Sequence, residues 1–526
     1  MGKAETATPN GILSFPPFGK GGQGGFRNRS VAAGRVKSPP PPLYKKGGVK
    51  AAFLATLLLA LPVHADLPPA VAQALKQAGI PDSHVGILVR DVDNPAPLLA
   101  HGENRSFNPA SVMKLVTTLA ALDTLGPAHT FKTRVWVEGE IKDGVLIGNL
   151  ILQGGGDPGL TQERFWLLLR EIRARGIREI RGDVILDNSF YELESVDPAA
   201  FDQAPLRPYN APAAALLANF NTLNLRIGAV VNTVQARIEA DDALPMDNRL
   251  EASEAPCNGW REQLGVNMEE GRLVLSGRYP KACGEQIHPL NLLSPEATVA
   301  VLFRTLWKEA GGLHSGRIRP CTPGPDARLL LEFDSQPLSS LVRDVNKYSN
   351  NVMAKMLFLN QGADRYGAPA TWDKGMRAAR DWLTERGLMS DEIVLENGAG
   401  LSRIERISAA SLARLLAYAA SRPAYYEFAA SLPAIGLEGT QKNRLNGSPL
   451  SGQAWLKTGS LNGARNLAGY VLGPDGHRRI LVMLINHGNA LAAGKAQDAL
   501  LEWAVVVPSN SPAEGGNSPA KVEIKH

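Results

Sequence analysis

A serine hydroxyl is a poor nucleophile until a neighbouring base takes its proton. A lysine serves as that base only when burial and nearby positive charge keep it neutral. Ser111-Val112-Met113-Lys114 sets out such a pair. On a helix, a spacing of three puts hydroxyl and amine on one face, about 5–6 Å apart at Cβ. In the first helical turn Ser111 would also feel the positive end of the helix dipole, which favours a developing oxyanion. The motif is weak by itself, since Ser518 and Lys521 repeat it in the tail with no such context.

Two further groupings supply what this pair lacks. In Lys347-Tyr348-Ser349-Asn350-Asn351, between apolar helical stretches, a hydroxyl (Ser349) and an amide (Asn351) two residues apart can face one cleft. There the hydroxyl relays a proton and the amide holds a substrate backbone. Alone, the stretch reads rather as an ordinary helix cap or turn. In Lys457-Thr458-Gly459-Ser460, a cation beside two hydroxyls at the end of a strand suits a substrate carboxylate, and the glycine lets a ligand approach the backbone. A plain β-turn is the alternative there. Together the three match the Ser-x-x-Lys, Ser-x-Asn and Lys-Thr-Gly set of penicillin-binding proteins and serine β-lactamases.

Elements of the expected kinds surround each motif. Asn108-Pro109 opens a helix over 109–122, with asparagine as N-cap and proline in the first turn. An apolar strand is expected over 84–92, strands around Lys142-Asp143-Gly144, and a helix over 162–175, followed by short strands to about Arg319. Thr322-Pro323-Gly324-Pro325 punctuates the chain. Long helical patterns follow over 338–360 and 372–386. Three strands in meander order (454–457, 466–472, 479–486) and a helix over 490–506 close the pattern.

Composition narrows the class. A chain of 526 residues, 44% hydrophobic and 20% charged, is globular and long enough for two or three units. The net charge of +5 does not point to nucleic acid. The first fifty residues carry nine Lys/Arg against one acid, Glu5, so everything downstream is net negative. Lys45, Lys46 and Lys50, the apolar run 51–61 and Val63-His64-Ala65 read as a cleaved export signal over 49–65, with a mature start near Asp66. Residues 1–48 form a Pro/Gly/Lys-rich, self-echoing extension that cannot bury a core, and initiation near Val49 is expected. Export favours a disulfide: of the three cysteines Cys257 and Cys283 are the likelier pair, worth about 3 kcal/mol if unstrained, with Cys321 left over, and three free thiols are the alternative. Without C-x-x-C or H-x-x-x-H, zinc has no local ligand pair, and no metal or cofactor is expected. The tail from 508 is polar and expected to be disordered, without the apolar face of a membrane anchor, so a soluble periplasmic protein is expected.

With these features in hand, the chain resembles the D-alanyl-D-alanine carboxypeptidase/endopeptidase family of class C low-molecular-mass penicillin-binding proteins. Gly154-Gly155-Gly156-Asp157-Pro158, Asn397-Gly398-Ala399-Gly400-Leu401-Ser402-Arg403 and Leu467-Ala468-Gly469-Tyr470 look like its signatures. So does the long gap from Lys114 to Ser349. The resemblance implies an α/β (α+β) fold: a split transpeptidase-like domain (66–132 and 331–507) with a large, mostly β inserted region over 133–330. It implies Ser111 as acylated nucleophile, Lys114 as base, Ser349 and Lys457 as proton shuttle, and Asn351 on the substrate amide. Backbone N–H groups of Ser111 and Ser460 would form the oxyanion hole, and the Thr458 and Ser460 hydroxyls would bind the terminal carboxylate. Arg403 would contact a diaminopimelate side chain, with Asp202 a weaker candidate for its amino end. Peptidoglycan peptides are the implied substrates and β-lactams the implied covalent inhibitors. Position 460 is serine where threonine is commoner, and Asn350 stands where aspartate is usual.

Other readings fare less well on the residues. A class A β-lactamase would carry a Glu-x-x-Leu-Asn loop, absent here, and would leave the long gap unexplained. A Ser-His-Asp hydrolase of the Gly-x-Ser-x-Gly type has no such motif anywhere. A non-catalytic wall-binding relative of the same fold is the remaining alternative, and it would have no need of all the reacting side chains.

Overall fold

Strand Arg478–Ile485 (RRILVMLI) has almost no polar side chain beyond its first two residues, so both of its faces must be covered. A computed structural model describes residues 66–239 and 244–509 and shows how. The strand lies inside a five-stranded antiparallel sheet, in the order Ala454–Leu461, Ala464–Leu472, Arg478–Ile485, Val85–Asp91, Pro97–His101. Successive side chains of a strand point to opposite faces. Accordingly Leu481, Met483 and Ile485 join one apolar cluster with the Pro69–Gln77 and Gly494–Val506 helices. Ile480, Val482 and Leu484 join another, with the Lys114–Leu125 and Ala409–Ala420 helices. The sheet therefore unites the two ends of the described chain in one helix–sheet–helix sandwich, and the mixed α/β class expected above is what is found. The export signal, the extension before it and the tail beyond 509 lie outside the described residues. Among the described residues no helix is long and apolar enough to cross a membrane.

Between the two halves of this sandwich the chain leaves and returns along paired strands. Lys132–Lys142 runs antiparallel to Arg328–Asp334 on one side and Val145–Gln153 on the other. They belong to a seven-stranded sheet, and a separate six-stranded sheet is built from strands between Leu223 and Leu290. Apolar side chains of both sheets share a cluster with the Gln162–Ala174 and Pro295–Glu309 helices. Cys257 and Cys283 are joined by a disulfide, and Cys321 is free and exposed.

Two elements differ from expectation. Strands were expected to run to Arg319, yet Pro295–Glu309 is a helix, capped by the Ser294 hydroxyl, which accepts from Ala297 N–H, with proline at its first position. The single helical pattern over 338–360 is two helices, Leu338–Tyr348 and Asn351–Tyr366. Ser349 ends the first in the left-handed region (φ 57), and the Asn350 side chain caps the second by accepting from Met353 N–H. Apolar periodicity resumes in the second helix, so the break is marked only by the polar Lys347–Asn351 stretch, where the cap or turn expected for Ser349-Asn350-Asn351 is found.

Candidate active site

The chain presents Ser111 on a turn pinned from below. Asn108 Oδ1 accepts from Ala110 N–H, and the Asn108 carbonyl accepts from the side chains of Asn466 (2.9 Å) and Asn486 (3.1 Å), both carried by the central sheet or its margin. Ala110, fully buried, holds φ 47, a conformation that costs an L-residue energy and persists only where packing enforces it. Residues Ala110–Met113 form a 3-10 turn, and the α-helix begins at Lys114, later than the 109 expected. That difference matters chemically. Side chains at i and i+3 eclipse one another in a 3-10 turn, and Lys114 Nζ lies 3.0 Å from Ser111 Oγ.

Lys114 is completely buried. Its amine also donates to Asn351 Oδ1 (2.6 Å) and to the Ala399 carbonyl. Burial pushes its pKa well below the ordinary lysine range; the neighbouring Lys457 pushes the same way and Glu405 opposes. Lys457, equally buried, donates to Ser349 Oγ (2.9 Å) and to the Thr458 carbonyl (2.8 Å), and burial lowers its pKa to about 7. Ser349 points into this site because its left-handed backbone ends one helix just before Asn351 begins the next. The Asn351 amide bridges outward as well, donating from Nδ2 to the Tyr209 carbonyl (3.2 Å).

The third motif lies on an edge strand longer than expected, Ala454–Leu461. On its free side the Ala454 carbonyl accepts from Ile435 N–H and Leu456 N–H donates to the Pro433 carbonyl. By strand alternation the N–H groups of Thr458 and Ser460 point the same way, off the sheet edge. Thr458 and Ser460 line one cleft of about 620 Å³ with Ser111 and Ser349. Gly459 is what lets this strand sit against the serine turn: a Cβ there would lie 2.5 Å from the Pro109 carbonyl oxygen and 2.9 Å from Ser111 N. Gly459→Ala should therefore push strand and turn apart. A shift near 1 Å at a reacting centre costs about 100-fold, so kcat should fall about that much; a near-parental kcat would contradict this packing.

The proposed side chains thus form two hydrogen-bonded groups, Ser111–Lys114–Asn351 and Ser349–Lys457, and Ser111 and Ser349 line the same cleft. Arg403 does not join them. It lines a neighbouring cavity of about 550 Å³, with its guanidinium 4.2 Å over the Phe201 ring, and its charge helps to lower the Asp202 pKa. Asp202 accepts from Tyr209 Oη and Asn210 Nδ2, both at 2.8 Å.

Sequence reasoning missed three contributors. The Ala399 and Tyr209 carbonyls are backbone groups and leave no trace in residue types. Glu405 is a fully buried carboxylate that accepts from Asn397 and Gly398 N–H, both at 3.0 Å, and so shapes the loop that delivers Ala399. Its signal was an acid five residues beyond the glycine-rich turn that ends at Gly400. Among the described residues, no group of His, Cys, Asp and Glu is placed to hold a metal ion.

The buried lysines have a consequence for stability. In the unfolded chain Lys457 keeps its proton up to the ordinary lysine range near 10.4; folded, it loses it above about 7. Across that window the unfolded state binds more protons, so stability rises with pH, by up to about 1.4 kcal/mol per unit for each such proton. Lys355, lowered by burial to about 8, adds the same sign above that pH. Urea midpoints should increase from pH 7.5 to 9.5, and Lys457→Met should flatten the slope; a slope that Lys457→Met leaves unchanged would contradict the neutral-amine assignment.

Comparison with known proteins gives a consistent grouping. Residues 67–507 match the model of the D-Ala-D-Ala carboxypeptidase 3 (S13) family. A D-alanyl-D-alanine carboxypeptidase of Actinomadura sp. (strain R39) is 29% identical over 518 residues, 92% of this chain and 91% of the relative. The D-alanyl-D-alanine carboxypeptidase DacB of Haemophilus influenzae is 27% identical over 450 residues, 82% of this chain and 91% of its own. The crystal structure of penicillin binding protein 4 from H. influenzae superposes with a TM-score of 0.68 at 24% identity, covering 82% of this chain and 99% of that one, a likeness of fold.

Proposed function

The chain belongs to the D-Ala-D-Ala carboxypeptidase 3 (S13) family, and on that premise we propose that it cleaves D-alanyl peptide bonds of peptidoglycan stem peptides through an acyl-enzyme on Ser111. One observation carries the assignment of roles: Lys114 Nζ, excluded from water, lies 3.0 Å from Ser111 Oγ. A neutral amine has two N–H groups and one lone pair. The N–H groups are taken by Asn351 Oδ1 and the Ala399 carbonyl, which leaves the lone pair for the serine proton.

Ser111 Oγ then bonds to the carbonyl carbon of the D-alanine that precedes the scissile bond as its proton passes to Lys114. The oxyanion so formed meets N–H groups of Ser111 and Ser460, the latter pointing off the sheet edge into the cleft. As the C–N bond breaks, the departing amine takes a proton through Ser349 and Lys457, which are hydrogen-bonded to each other. Water releases the acyl group by the reverse exchange. The hydroxyls of Thr458 and Ser460 would hold the substrate's terminal carboxylate, and Asn351 its amide. Arg403 beside Asp202 offers opposite charges of the kind needed at the end of a diaminopimelate side chain. We further place residues 133–330 as inserted domains on the 66–132/331–507 transpeptidase-like unit, and the protein in the periplasm, exported by the 49–65 segment.

Incubation with disaccharide-pentapeptide monomers and, separately, with a fluorescent penicillin tests this reading. Release of D-alanine and a long-lived penicillin adduct are expected. Rapid penicillin turnover without D-alanine release would instead indicate a β-lactamase, and neither activity nor adduct a non-catalytic wall-binding protein.

A further inference from the structure

Away from the serine cleft, both edge strands of the six-stranded sheet, Leu264–Glu269 and Gln286–Leu290, line a cavity of about 420 Å³ that the segment 203–207 closes. Alternation along the first strand turns Leu264, Val266 and Met268 to one face, and with Leu290 they make the cavity's apolar floor. The charge in the lining has a single sign: Arg207 and Arg261 stand in it, and no aspartate or glutamate does. Among the described residues, neither guanidinium hydrogen-bonds or ion-pairs with another side chain. Arg261 lies instead 4.5 Å over the ring of Trp260. That ring also packs edge-on, at 5.7 Å, against the imidazole of His288. His288 lines the cavity at only 8% exposure, and its ring makes no hydrogen bond to a described residue. Burial, then Arg261 and Arg207, lower its pKa to about 4, so near neutral pH the imidazole is uncharged and offers one N–H and one lone pair. Unmade hydrogen bonds on a buried ring are costly. A ligand that brings an amide to the ring and carboxylates to the two arginines would complete all three.

We propose that this cavity is a second, non-catalytic site that binds a carboxylate-bearing stem peptide of peptidoglycan without cleaving it. The inference rests on the serine-peptidase reading above, because that reading surrounds the protein with such peptides. Guanidinium forks match carboxylates, the neutral imidazole matches a peptide amide, and the apolar floor takes alanine methyl groups. The volume is within the range of small-ligand sites. No serine, threonine, cysteine or lysine lines the cavity, so it offers no activated nucleophile, and it shares no lining residue with the serine cleft. One chain segment nevertheless serves both places. Pro205 and Leu206 are fixed by their carbonyls, which accept from Asn291 Nδ2 and Asn291 N–H, both at 2.9 Å. A few residues on, the Tyr209 carbonyl accepts from Asn351 Nδ2 in the active site. A peptide held in the cavity keeps the polymer beside the enzyme between cuts, which raises the effective concentration of the next stem at Ser111.

The test uses the full chain with Ser111 blocked by benzylpenicillin and a fluorescein-labelled tripeptide, L-alanyl-γ-D-glutamyl-diaminopimelate, which has no D-alanyl bond to cut. Fluorescence anisotropy should show saturable binding to the blocked protein. The double variant Arg207→Gln/Arg261→Gln should raise Kd about tenfold or more, the loss expected for charged hydrogen bonds, while its penicillin acylation rate stays parental and reports a folded protein. Asn267→Asp, an exposed change of equal size in the same lining, should also raise Kd several-fold by setting a carboxylate against the ligand's own. Arg403→Gln should leave Kd unchanged, which separates this cavity from the one beside the serine cleft. No saturable binding, binding that the double variant and Asn267→Asp leave unchanged, or binding lost in Arg403→Gln would each overturn the proposal. Displacement of the tripeptide by inorganic phosphate at equal concentration would mean a general anion site and would overturn it as well. Failure of the unaltered protein to take up penicillin would instead remove the underlying peptidase reading.

Discussion

Ser111→Ala is expected to leave a folded protein with no penicillin adduct and with peptidase activity reduced by on the order of 10⁴-fold or more. Serine nucleophiles of hydrolases lose this much because no other group can form the covalent intermediate, and only binding and oxyanion stabilisation survive. The side chain is small and sits in the cleft, while the turn that carries it is held by backbone and asparagine contacts at Asn108, Asn466 and Asn486. The melting temperature should therefore stay close to that of the parent. Retention of D-alanine release in the variant would remove Ser111 from the mechanism.

Lys114→Met should have the next largest effect, a fall in acylation rate of about 10³-fold, within the range a positioned general base contributes. Its effect on stability divides into opposing parts. Removing a buried amine that must shed its proton on folding is favourable, whereas Asn351 Oδ1 and the Ala399 carbonyl lose their donor, at about 1–3 kcal/mol each. The two largely offset each other, so the barrier to acylation should rise by more than the folding free energy changes. Stopped-flow acylation measured beside urea unfolding makes the comparison. A variant that acylates at the parental rate would show that some other group takes the serine proton.

The legible part of this protein was its chemistry. Ser111, Lys114, Ser349, Asn351 and Lys457 each belong to a short pattern in which the side chains themselves carry the signal, and the same is true of the unbroken apolar run in Arg478–Ile485. What escaped was carried by backbone conformation. The 3-10 turn that eclipses Ser111 and Lys114 looks, in sequence, like the first turn of an α-helix. The helix cap or turn offered for Lys347–Asn351 is present as the Asn350 cap, but nothing in the residue types specifies the left-handed backbone of Ser349. Ala399 and Tyr209 contribute carbonyl oxygens, which any residue type would supply. The Pro295–Glu309 helix was different, because Ser294-Pro295-Glu296 ahead of an apolar-periodic run carries the signal of a helix start even between short strands. Arg403 was placed by its motif, and the structure sets it in the cavity next to the serine cleft, against Phe201.

Locating the acyl bond tests the central claim most directly. After brief treatment with benzylpenicillin, the protein should gain the mass of one penicillin. Peptide mapping should place that mass on the fragment holding Ser111, at a rate that falls as the medium becomes acidic and Lys114 regains its proton. A stable label on any other residue, or labelling of Ser111 at an undiminished rate in the Lys114→Met variant, would contradict the account.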